Sequence, residues 1–410
     1  MEIQADQTTF RSYLFFWSGQ LTSLLGSSIA QFVIIWWITL ETGSAMYLAL
    51  ASFLGLAPMV ILAPFAGVLV DRWSRRLLIG IVDFLQALAT VILVFLFWLG
   101  IVSTWQILLL LTVRGIFQAF HQPAVSAITP LMVPREKLSR MNGLSYLCSG
   151  AVTLVGPLLA ALLLGFWRID QILWIDVITF LVALVPLLMI RIPSVRKEQG
   201  NASFKAEFLE GFTFMRKARG LLPLLILATA LNFLLTPLST LLPYYVKFDH
   251  LGEAPELAFV MASFQGGILA GGLLMTLIKG FKRKMIAVAF SIYIIFLGYV
   301  LLALTPTGAF WFMAVSGIIM ALCLPVANVS TQTIMQTIVP MKMQGRVNSV
   351  TMALATAAQP LGMILSGTIV EFTRTAILFL GCAVSGILIL TLSWFFTDIK
   401  SVEKVEESTP

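Results

Sequence analysis

The stretch GVLVDRWSRR, residues 67–76, joins the end of a long apolar run to a cluster of charges. Residues 46–70 carry no charged side chain, and one aspartate and three arginines then follow within six positions. A helix of about 20 mostly apolar residues crosses a lipid bilayer. The change at residue 71 therefore predicts the end of a membrane-spanning helix, followed by a basic loop. The aspartate needs a separate explanation, because lysine and arginine determine the orientation of a span.

The composition places the whole chain in the membrane class. Of its 410 residues, 59% are hydrophobic and 11% are charged, whereas soluble domains carry about 25% charged residues. The net charge is +7, but the bases lie in short clusters between apolar runs. A nucleic-acid partner would need a basic face or stripe, so we expect none. The chain has no phosphate-binding Gly-Lys loop, no paired metal-binding histidines and no nucleophile elbow. We therefore expect no enzyme activity, no cofactor and no metal site.

Twelve apolar runs are long enough to cross a bilayer, and each must be helical because lipid offers the backbone no hydrogen-bond partner. They are residues 13–39, 46–70, 77–99, 105–131, 141–166, 171–191, 221–246, 256–279, 285–304, 309–336, 347–370 and 375–397.

The distribution of lysine and arginine predicts the orientation of these runs. If both termini lie on one side, the opposite side carries only Arg168, Lys247 and Arg374, and Arg114 lies inside a run. The remainder of the 26 lysines and arginines lies on the side of the termini. Because positively charged loops stay cytoplasmic, we predict that both termini are cytoplasmic. The chain is then a multi-pass protein of the inner or plasma membrane.

A polar gap at residues 192–220 divides the twelve runs into two sets of six. The predicted domains are an N-terminal six-helix half at 1–191, a cytoplasmic linker at 192–220, a C-terminal six-helix half at 221–400 and a cytoplasmic tail at 401–410. Phe204, Phe208, Phe212 and Met215 recur in the linker at helical spacing, next to several bases. This pattern favours an amphipathic helix on the anionic cytoplasmic surface of the membrane. A flexible linker is the alternative.

The two halves share a sequence pattern that indicates an internal repeat. VPREKLSRMNGL (133–144) follows the fourth run and VPMKMQGRVNSV (339–350) follows the tenth, with Val, Pro, Arg and Asn at equal spacing. DRWSRR (71–76) has a counterpart in KGFKRK (279–284) after the eighth run. Parallel repeats of six helices are a known transporter design, in which the substrate binds between the halves near the bilayer midplane. The repeat therefore predicts transport by rocking of one half against the other.

The architecture and the charged loop together resemble the major facilitator superfamily. Its loop signature is a glycine, then Asp-Arg, then paired bases, and GVLVDRWSRR follows this order. Three further stretches resemble the macrolide-efflux branch of its drug–proton antiporters: ETGSAMYLALASFLGLAP (41–58), RGIFQAFHQPAVSAITPLMVP (114–134) and ILWIDVITFL (172–181). The resemblance covers the whole chain. It implies the major facilitator fold, an all-α membrane protein of twelve transmembrane helices in two parallel six-helix repeats with both termini cytoplasmic.

The resemblance also implies a role for the charged loop as a cytoplasmic gate. Asp71 would hold the gate shut against the positive N-terminal end of the eleventh helix. We expect Arg72, Arg75 and Arg76 to pair with Glu136 in the loop after the fourth run. Exposed ion pairs contribute only about 0–1 kcal/mol each, which suits a gate that opens in every cycle. The alternative is that the arginines only anchor the topology.

Charges inside the apolar runs are costly, so each is a functional candidate. Arg114 resembles the intramembrane arginine of drug–proton antiporters and is assigned to proton coupling. The alternative is a structural arginine that pairs with Asp176 or with backbone carbonyls. Asp83, Asp176 and Glu41 are the candidate proton carriers. Asp83 and Asp176 could instead stabilise helix packing, and Glu41 could be a solvated loop acid.

Two further assignments concern the outer gate and the cavity. The Gly156-Pro157 pair resembles the exporter motif of the drug antiporters and is the predicted outer hinge. The predicted cavity is lined by polar and aromatic residues, as suits a bulky amphipathic ligand, although aromatic residues also form ordinary belts at membrane interfaces. These cavity residues are Gln20, Gln31, Trp36, Asn232, Phe233 and Asn328.

The sequence thus predicts a secondary active exporter of bulky amphipathic compounds, macrolide-like or multidrug, that exchanges them for protons by alternating access. The expected partners are the amphipathic substrate, protons and the lipid bilayer, and we expect a monomer. One alternative is an exporter of an endogenous lipid or siderophore, because such exporters share much of the branch pattern. An alternative of another class is a non-transporting membrane scaffold or a partner subunit.

Overall fold

The computed structural model describes residues 7–190, 192, 204–218, 220–278 and 280–401, with the backbone alone at 64, 67–72, 204–207, 217, 342 and 401. Within these ranges the chain is helical and has no β-strand. Its α-helices are α1 (Gln7–Thr42), α2 (Ala45–Arg72), α3 (Arg75–Trp98), α4 (Thr104–Ser126), α5 (Thr129–Met132), α6 (Arg135–Leu164), α7 (Ile169–Met189), α8 (Phe204–Lys217), α9 (Leu221–Tyr244), α10 (Ala254–Leu277), α11 (Lys284–Ala303), α12 (Phe310–Ile338), α13 (Met341–Phe372) and α14 (Thr375–Phe396). A π-helix at Tyr245–Asp249 continues α9, and a 3₁₀-helix at Asp398–Ser401 follows α14.

The predicted all-helical membrane class is confirmed. Eleven of the described helices are long and apolar enough to cross a membrane. Helix α4 has 23 residues but does not reach the same hydropathy, and it carries Arg114, Gln118 and His121. The twelve-span count and the orientation of the termini therefore stay predictions. Large apolar side chains such as Ile61, Trp105 and Phe290 are exposed, as expected of a surface that lipid covers.

Three helix boundaries differ from the apolar runs for reasons of backbone chemistry. The run 105–131 is interrupted, because α4 ends at Ser126 and the short α5 begins just before Pro130. Proline lacks an N–H, and the first turn of a helix needs none at that position, so proline starts a helix more readily than it continues one. Helices α6 and α13 start before their apolar runs, directly after Pro134 and Pro340. The two repeat loops therefore begin their helices at equivalent positions.

The chain divides into two compact units, residues 1–43 with 50–199 (unit 1) and residues 44–49 with 200–410 (unit 2). In unit 1, α1 packs against α6 and α7, and α3 packs against α4 and α7. In unit 2, α12 packs against α10 and α11, and α9 packs against α13. The predicted domain limits at 191 and 221 stay predictions.

The linker helix α8 packs against the core of unit 2. Met215 is fully buried in a cluster with Leu221 and Val350, and Phe208 packs against the same cluster. Glu210 lies 2.7 Å from Arg346 of α13. The apolar stripe of α8 thus faces protein with Phe208 and Met215, while Phe212 is exposed. The helix predicted within the linker is present at Phe204–Lys217, and its proposed place on the membrane surface stays a prediction.

A buried histidine follows the π-helix of unit 2. His250 is buried, and its ring centroid lies 4.4 Å from that of Tyr245 in an edge-to-face contact. Burial lowers the pKa of His250 below its ordinary value, although the charge of Asp249 and a hydrogen bond to the Pro306 backbone both act to raise it. The folded chain therefore favours the neutral imidazole more strongly than the unfolded chain does.

This difference predicts a loss of stability in mild acid that depends on His250. As the pH falls below about 6.5, the ordinary pKa of histidine, the unfolded chain takes up a proton more readily than the folded chain, so stability decreases. We expect His250→Phe, which keeps an aromatic ring against Tyr245, to reduce the decrease. Thermal unfolding of the purified protein in detergent between pH 8 and pH 5 (approximate limits of histidine titration) measures it. Parallel curves for the two proteins would contradict the prediction.

Candidate functional site

Four helices of unit 1 bring a buried ion pair together. Arg114 Nη1 of α4 lies 3.0 Å from Asp176 Oδ2 of α7. Thr90 Oγ1 of α3 donates to the same carboxylate oxygen at 2.7 Å. Ser27 Oγ of α1 donates to Asp176 Oδ1 at 2.8 Å. We call these four residues the Arg114 cluster.

The Arg114 cluster is internally balanced. The side chains of Arg114 and Asp176 are only 12% and 6% exposed, and their charges cancel. Arg114 Nη1 also donates to Thr90 Oγ1 at 2.6 Å, so the threonine hydroxyl links the two charges. A buried ion pair is tolerated when its geometry is good and its remaining lone pairs are satisfied. The structure therefore pairs Arg114 with Asp176, as the structural alternative expected.

Small residues allow the helices of the cluster to approach each other closely. An added Cβ at Gly26 of α1 would overlap the Thr179 side chain and lie 3.0 Å from the Asp176 Cα atom. An added Cβ at Gly115 of α4 would overlap the backbone carbonyl oxygen of Gly55 in α2. Glycine is needed where two backbones come this close. The residues next to Ser27 and Arg114 thus set the helix distances that the hydrogen bonds require.

A second buried pair lies on α3 and α4. His121 Nε2 is 2.9 Å from Asp83 Oδ1, with side chains 17% and 11% exposed. Between this pair and the Arg114 cluster, Gln86 Nε2 donates to Gln118 Oε1 at 3.4 Å. Asp83, Gln86 and Thr90 lie on one face of α3, and Arg114, Gln118 and His121 lie on the facing side of α4, as their helical spacing requires. We call these six residues the α3–α4 seam.

The sequence interpretation did not assign functions to several residues of these sites. Ser27 and Thr90 had no role, and the seam residues Gln86, Gln118 and His121 were not among the predicted site residues. The available signal was the spacing of polar residues inside two apolar helices, three and four positions apart. Polar residues at such spacing share a helix face, and within a membrane they seek partners on a neighbouring helix.

The predicted gate residues are only partly described. The side chains of Asp71 and Arg72 lie outside the described residues. Arg76 donates to the backbone carbonyl of Leu188 on α7. Glu136 is exposed in the first turn of α6, and Arg75 is partly buried. The pairing of the arginines with Glu136 stays a prediction.

The other candidates for coupling and for the outer hinge lie in unit 1. Glu41 is exposed in the last turn of α1. Gly156 and Pro157 are buried within α6. An added Cβ at Gly156 would overlap the Ser28 side chain of α1, so this glycine allows close packing of α1 and α6. The hinge role of the pair stays a prediction.

The predicted cavity residues are distributed over both units. On α1 of unit 1, Trp36 is buried, Gln31 is exposed, and Gln20 is partly buried with its Nε2 atom inaccessible. In unit 2, Asn232 is exposed and donates to the Ala228 carbonyl. Phe233 on α9 is partly buried and Asn328 on α12 is exposed. The described residues contain no group of three or more His, Cys, Asp or Glu side chains that could hold a metal ion.

The chain resembles known proteins over nearly its whole length. It is 32% identical over 395 residues to macrolide efflux protein A of Streptococcus pyogenes, covering 95% of this chain and 96% of that protein. Macrolide efflux protein A of Enterococcus faecalis is 32% identical over 326 residues, which cover 78% of this chain and 100% of that protein. The solved structure of a POT family transporter in complex with a thioalcohol-conjugated peptide matches with a TM-score of 0.75 and 12% identity over 96% of each chain. The last likeness concerns the fold alone.

The family match extends over both halves of the sequence. Residues 16–292 and 249–410 match the Major Facilitator Superfamily. Together with the apolar helices, this match makes the chain a multi-pass membrane protein and confirms the predicted family. The chain belongs to the Major Facilitator Superfamily of transporters.

Proposed function

We propose that this protein exports bulky amphipathic compounds, macrolides among them, in exchange for protons. The observation that carries the proposal is the similarity to macrolide efflux protein A over 95% of the chain. The buried charges of unit 1 add a physical argument, because intramembrane ionisable groups are expensive and typically serve ion or proton transport.

We further propose the topology and cycle that this function requires. Helix α4 also crosses the membrane in spite of its polar residues, because its neighbours α3 and α7 cover Arg114. It brings the number of spans to twelve. Both termini are cytoplasmic, and the protein lies in the inner or plasma membrane as a monomer. The transport cycle is alternating access, with Asp71 at the cytoplasmic gate and Gly156-Pro157 at the outer hinge, and the six residues named above contact the substrate.

Four groups are candidates for proton coupling: Arg114, Glu41, Asp83 and Asp176. Two are joined in the Arg114 cluster, Asp83 is paired with His121, and Glu41 is exposed. Each arrangement supports a different role. An exposed acid exchanges protons with water readily, whereas a buried pair can link its protonation to helix packing.

The test is transport by the purified full-length protein in proteoliposomes with an imposed pH gradient. We expect accumulation of a macrolide, and of a cationic dye if the protein accepts several drugs, only when the gradient is present. Collapse of the gradient with a protonophore is the control and should abolish accumulation. Transport that ignores the gradient would remove the proton antiport from the proposal.

The same experiment separates the alternatives. Export of neither compound by folded protein would favour an endogenous lipid or siderophore as substrate, which can be tested by adding such compounds to the same vesicles. Absence of transport and of proton flux with every compound tested would favour the scaffold or partner subunit. Each result leaves the family assignment intact, because that assignment rests on the sequence match.

A further inference from the structure

We propose that the Asp83–His121 pair is the proton-binding site of this transporter, and that the Arg114–Asp176 pair is a permanent structural ion pair. This inference rests on the proposed proton antiport and selects one carrier from its candidates. It also adds His121, to which the sequence interpretation gave no role.

The Arg114 cluster is poorly suited to gaining and losing a proton. Asp176 accepts hydrogen bonds from Ser27, Thr90 and Arg114, so both of its carboxylate oxygens already have donors. The guanidinium of Arg114 cannot lose its proton in a protein. Protonation of Asp176 would therefore leave a buried positive charge without its counter-ion. The ion pair keeps its charges through the cycle and holds α1, α3, α4 and α7 together.

The Asp83–His121 pair is acceptable in two protonation states. In one state the neutral imidazole donates through Nε2 to the Asp83 carboxylate at 2.9 Å. In the other, a proton from water has bound to Nδ1, and the imidazolium and the carboxylate neutralise each other. Histidine changes charge between about pH 5 and pH 8, the range in which cells maintain proton gradients. The ring also keeps 17% of its surface exposed, against 12% for Arg114 and 6% for Asp176.

Other ionisable groups near this pair do not replace its partner. The described groups on the helices packed against α3 and α4 are Arg11, Tyr13 and Glu41 of α1, Tyr47 of α2, and Asp170 and Asp176 of α7, and the two helices themselves add Arg75, Arg76 and Arg114. In the described structure Asp83 and His121 form an ion pair with each other and with none of these groups. The proton occupancy of His121 thus acts first on the contact between α3 and α4.

The α3–α4 seam connects the protonation of His121 to the rest of unit 1. Binding of the proton strengthens the attraction between Asp83 and His121, and its release weakens it. The Gln86–Gln118 contact lies next along the same two helix faces, followed by Thr90 and Arg114. A change in the spacing of α3 and α4 therefore reaches the Arg114 cluster through neutral hydrogen bonds, without moving a charge there.

Transport by variants in proteoliposomes tests the assignment. We expect Asp83→Asn and His121→Gln each to lower the initial rate of gradient-driven transport by a factor on the order of 100, as for removal of a proton-transfer group. Both variants should still carry substrate down its own concentration gradient when the pH is equal on the two sides of the membrane. Asp170→Asn is the matched control, because Asp170 is a mostly buried acid of unit 1 that pairs with Arg168 outside the seam. This control should keep both activities.

His121→Lys separates proton binding from helix packing. Lysine keeps a positive charge beside Asp83 but does not lose its proton near neutral pH. If the pair has only a structural role, His121→Lys should restore gradient-driven accumulation. If the pair carries the proton, this variant should fold and exchange substrate but remain uncoupled from the gradient.

A spectroscopic measurement remains informative even if a variant transports poorly. The chain has only two histidines, His121 and His250, so ¹⁵N-histidine labelling gives two resolvable sites, and His250→Phe assigns them. We expect Asp83→Asn to move the pH response of the His121 signal to lower pH and to leave the His250 signal unchanged. An unmoved His121 signal would overturn the proposal.

The outcomes distinguish the two levels of inference. Wild-type export without any dependence on the pH gradient would refute the proton antiport and this assignment with it. Gradient-driven export that survives in both Asp83→Asn and His121→Gln would refute only the assignment and return the carrier role to Glu41 or the Arg114 cluster.

Discussion

Replacing Asp176 with leucine is expected to lower the free energy of unfolding by about 3–5 kcal/mol, the usual cost of removing one partner from a buried ion pair. The substitution leaves the Arg114 guanidinium, 12% exposed, without a counter-ion in a low-dielectric environment. Arg114→Met should cost less, because the remaining carboxyl can take up a proton whereas the guanidinium cannot lose one. Unfolding of the purified proteins in detergent, induced by heat or by denaturant, measures both effects.

The double variant Arg114→Met/Asp176→Leu is the decisive comparison. Removing both charges leaves no buried unpaired ion, and apolar replacements of buried ion pairs are often neutral or stabilising. We therefore expect the double variant to be more stable than Asp176→Leu. Ser27→Ala is the matched control, since it removes one hydrogen bond from the same carboxylate and should cost about 0.6 kcal/mol. Additive losses in the double variant would mean that the two side chains do not stabilise each other.

The helices could be predicted from the sequence because the bilayer demands long apolar segments. Their ends could not be predicted from hydropathy alone, since a hydropathy pattern marks the lipid-facing part of a helix and not its caps. Pro134 and Pro340 set the starts of α6 and α13, and Pro130 lies at the start of the separate α5. These positions were visible in the sequence, and backbone chemistry rather than hydropathy explains them.

The linker helix illustrates a different limit. Its apolar stripe predicted a helix, and the helix is present at Phe204–Lys217. The same stripe can rest on a membrane or on a protein, because both offer an apolar surface. Gly211 allows α8 to lie in close contact with α13, because an added Cβ at this position would lie 2.9 Å from the Arg346 carbonyl oxygen. A single glycine in a polar linker does not predict such a contact, because the neighbouring helix is not visible in the sequence.

The charged residues of the candidate site could be predicted from the sequence, but the neutral residues that bond to them could not. Arg114, Asp83 and Asp176 were recognisable because a charge in an apolar run is rare. Pairing of Arg114 with Asp176 was one of the alternatives that the sequence left open. Ser27 and Thr90 were not recognisable, because hydroxyl residues are common in membrane helices and often bond to their own backbone. Only the packing of four helices brings them to one carboxylate.

The contact between α2 and α4 should also be sensitive to substitution, because it positions Arg114. We expect Gly115→Ala to destabilise unit 1 by about 1–3 kcal/mol, the usual cost of overpacking, because its Cβ would overlap the Gly55 carbonyl oxygen. A backbone atom cannot turn aside as a flexible side chain can, so the two helices must separate. Such a shift would displace Arg114, the preceding residue, from Asp176. Thermal unfolding and gradient-driven transport measure the two consequences.

Gly143→Ala is the matched control, because the same substitution in a helix of the same unit meets nothing. Gly143 is exposed within α6, and an added Cβ would have no neighbour within 4 Å among the described residues. Alanine is favoured over glycine inside a helix by about 1 kcal/mol, so this variant should be more stable than the wild type. The two glycine-to-alanine changes are thus expected to have opposite signs. Equal effects would mean that helix propensity, and not the distance between α2 and α4, determines the response at Gly115.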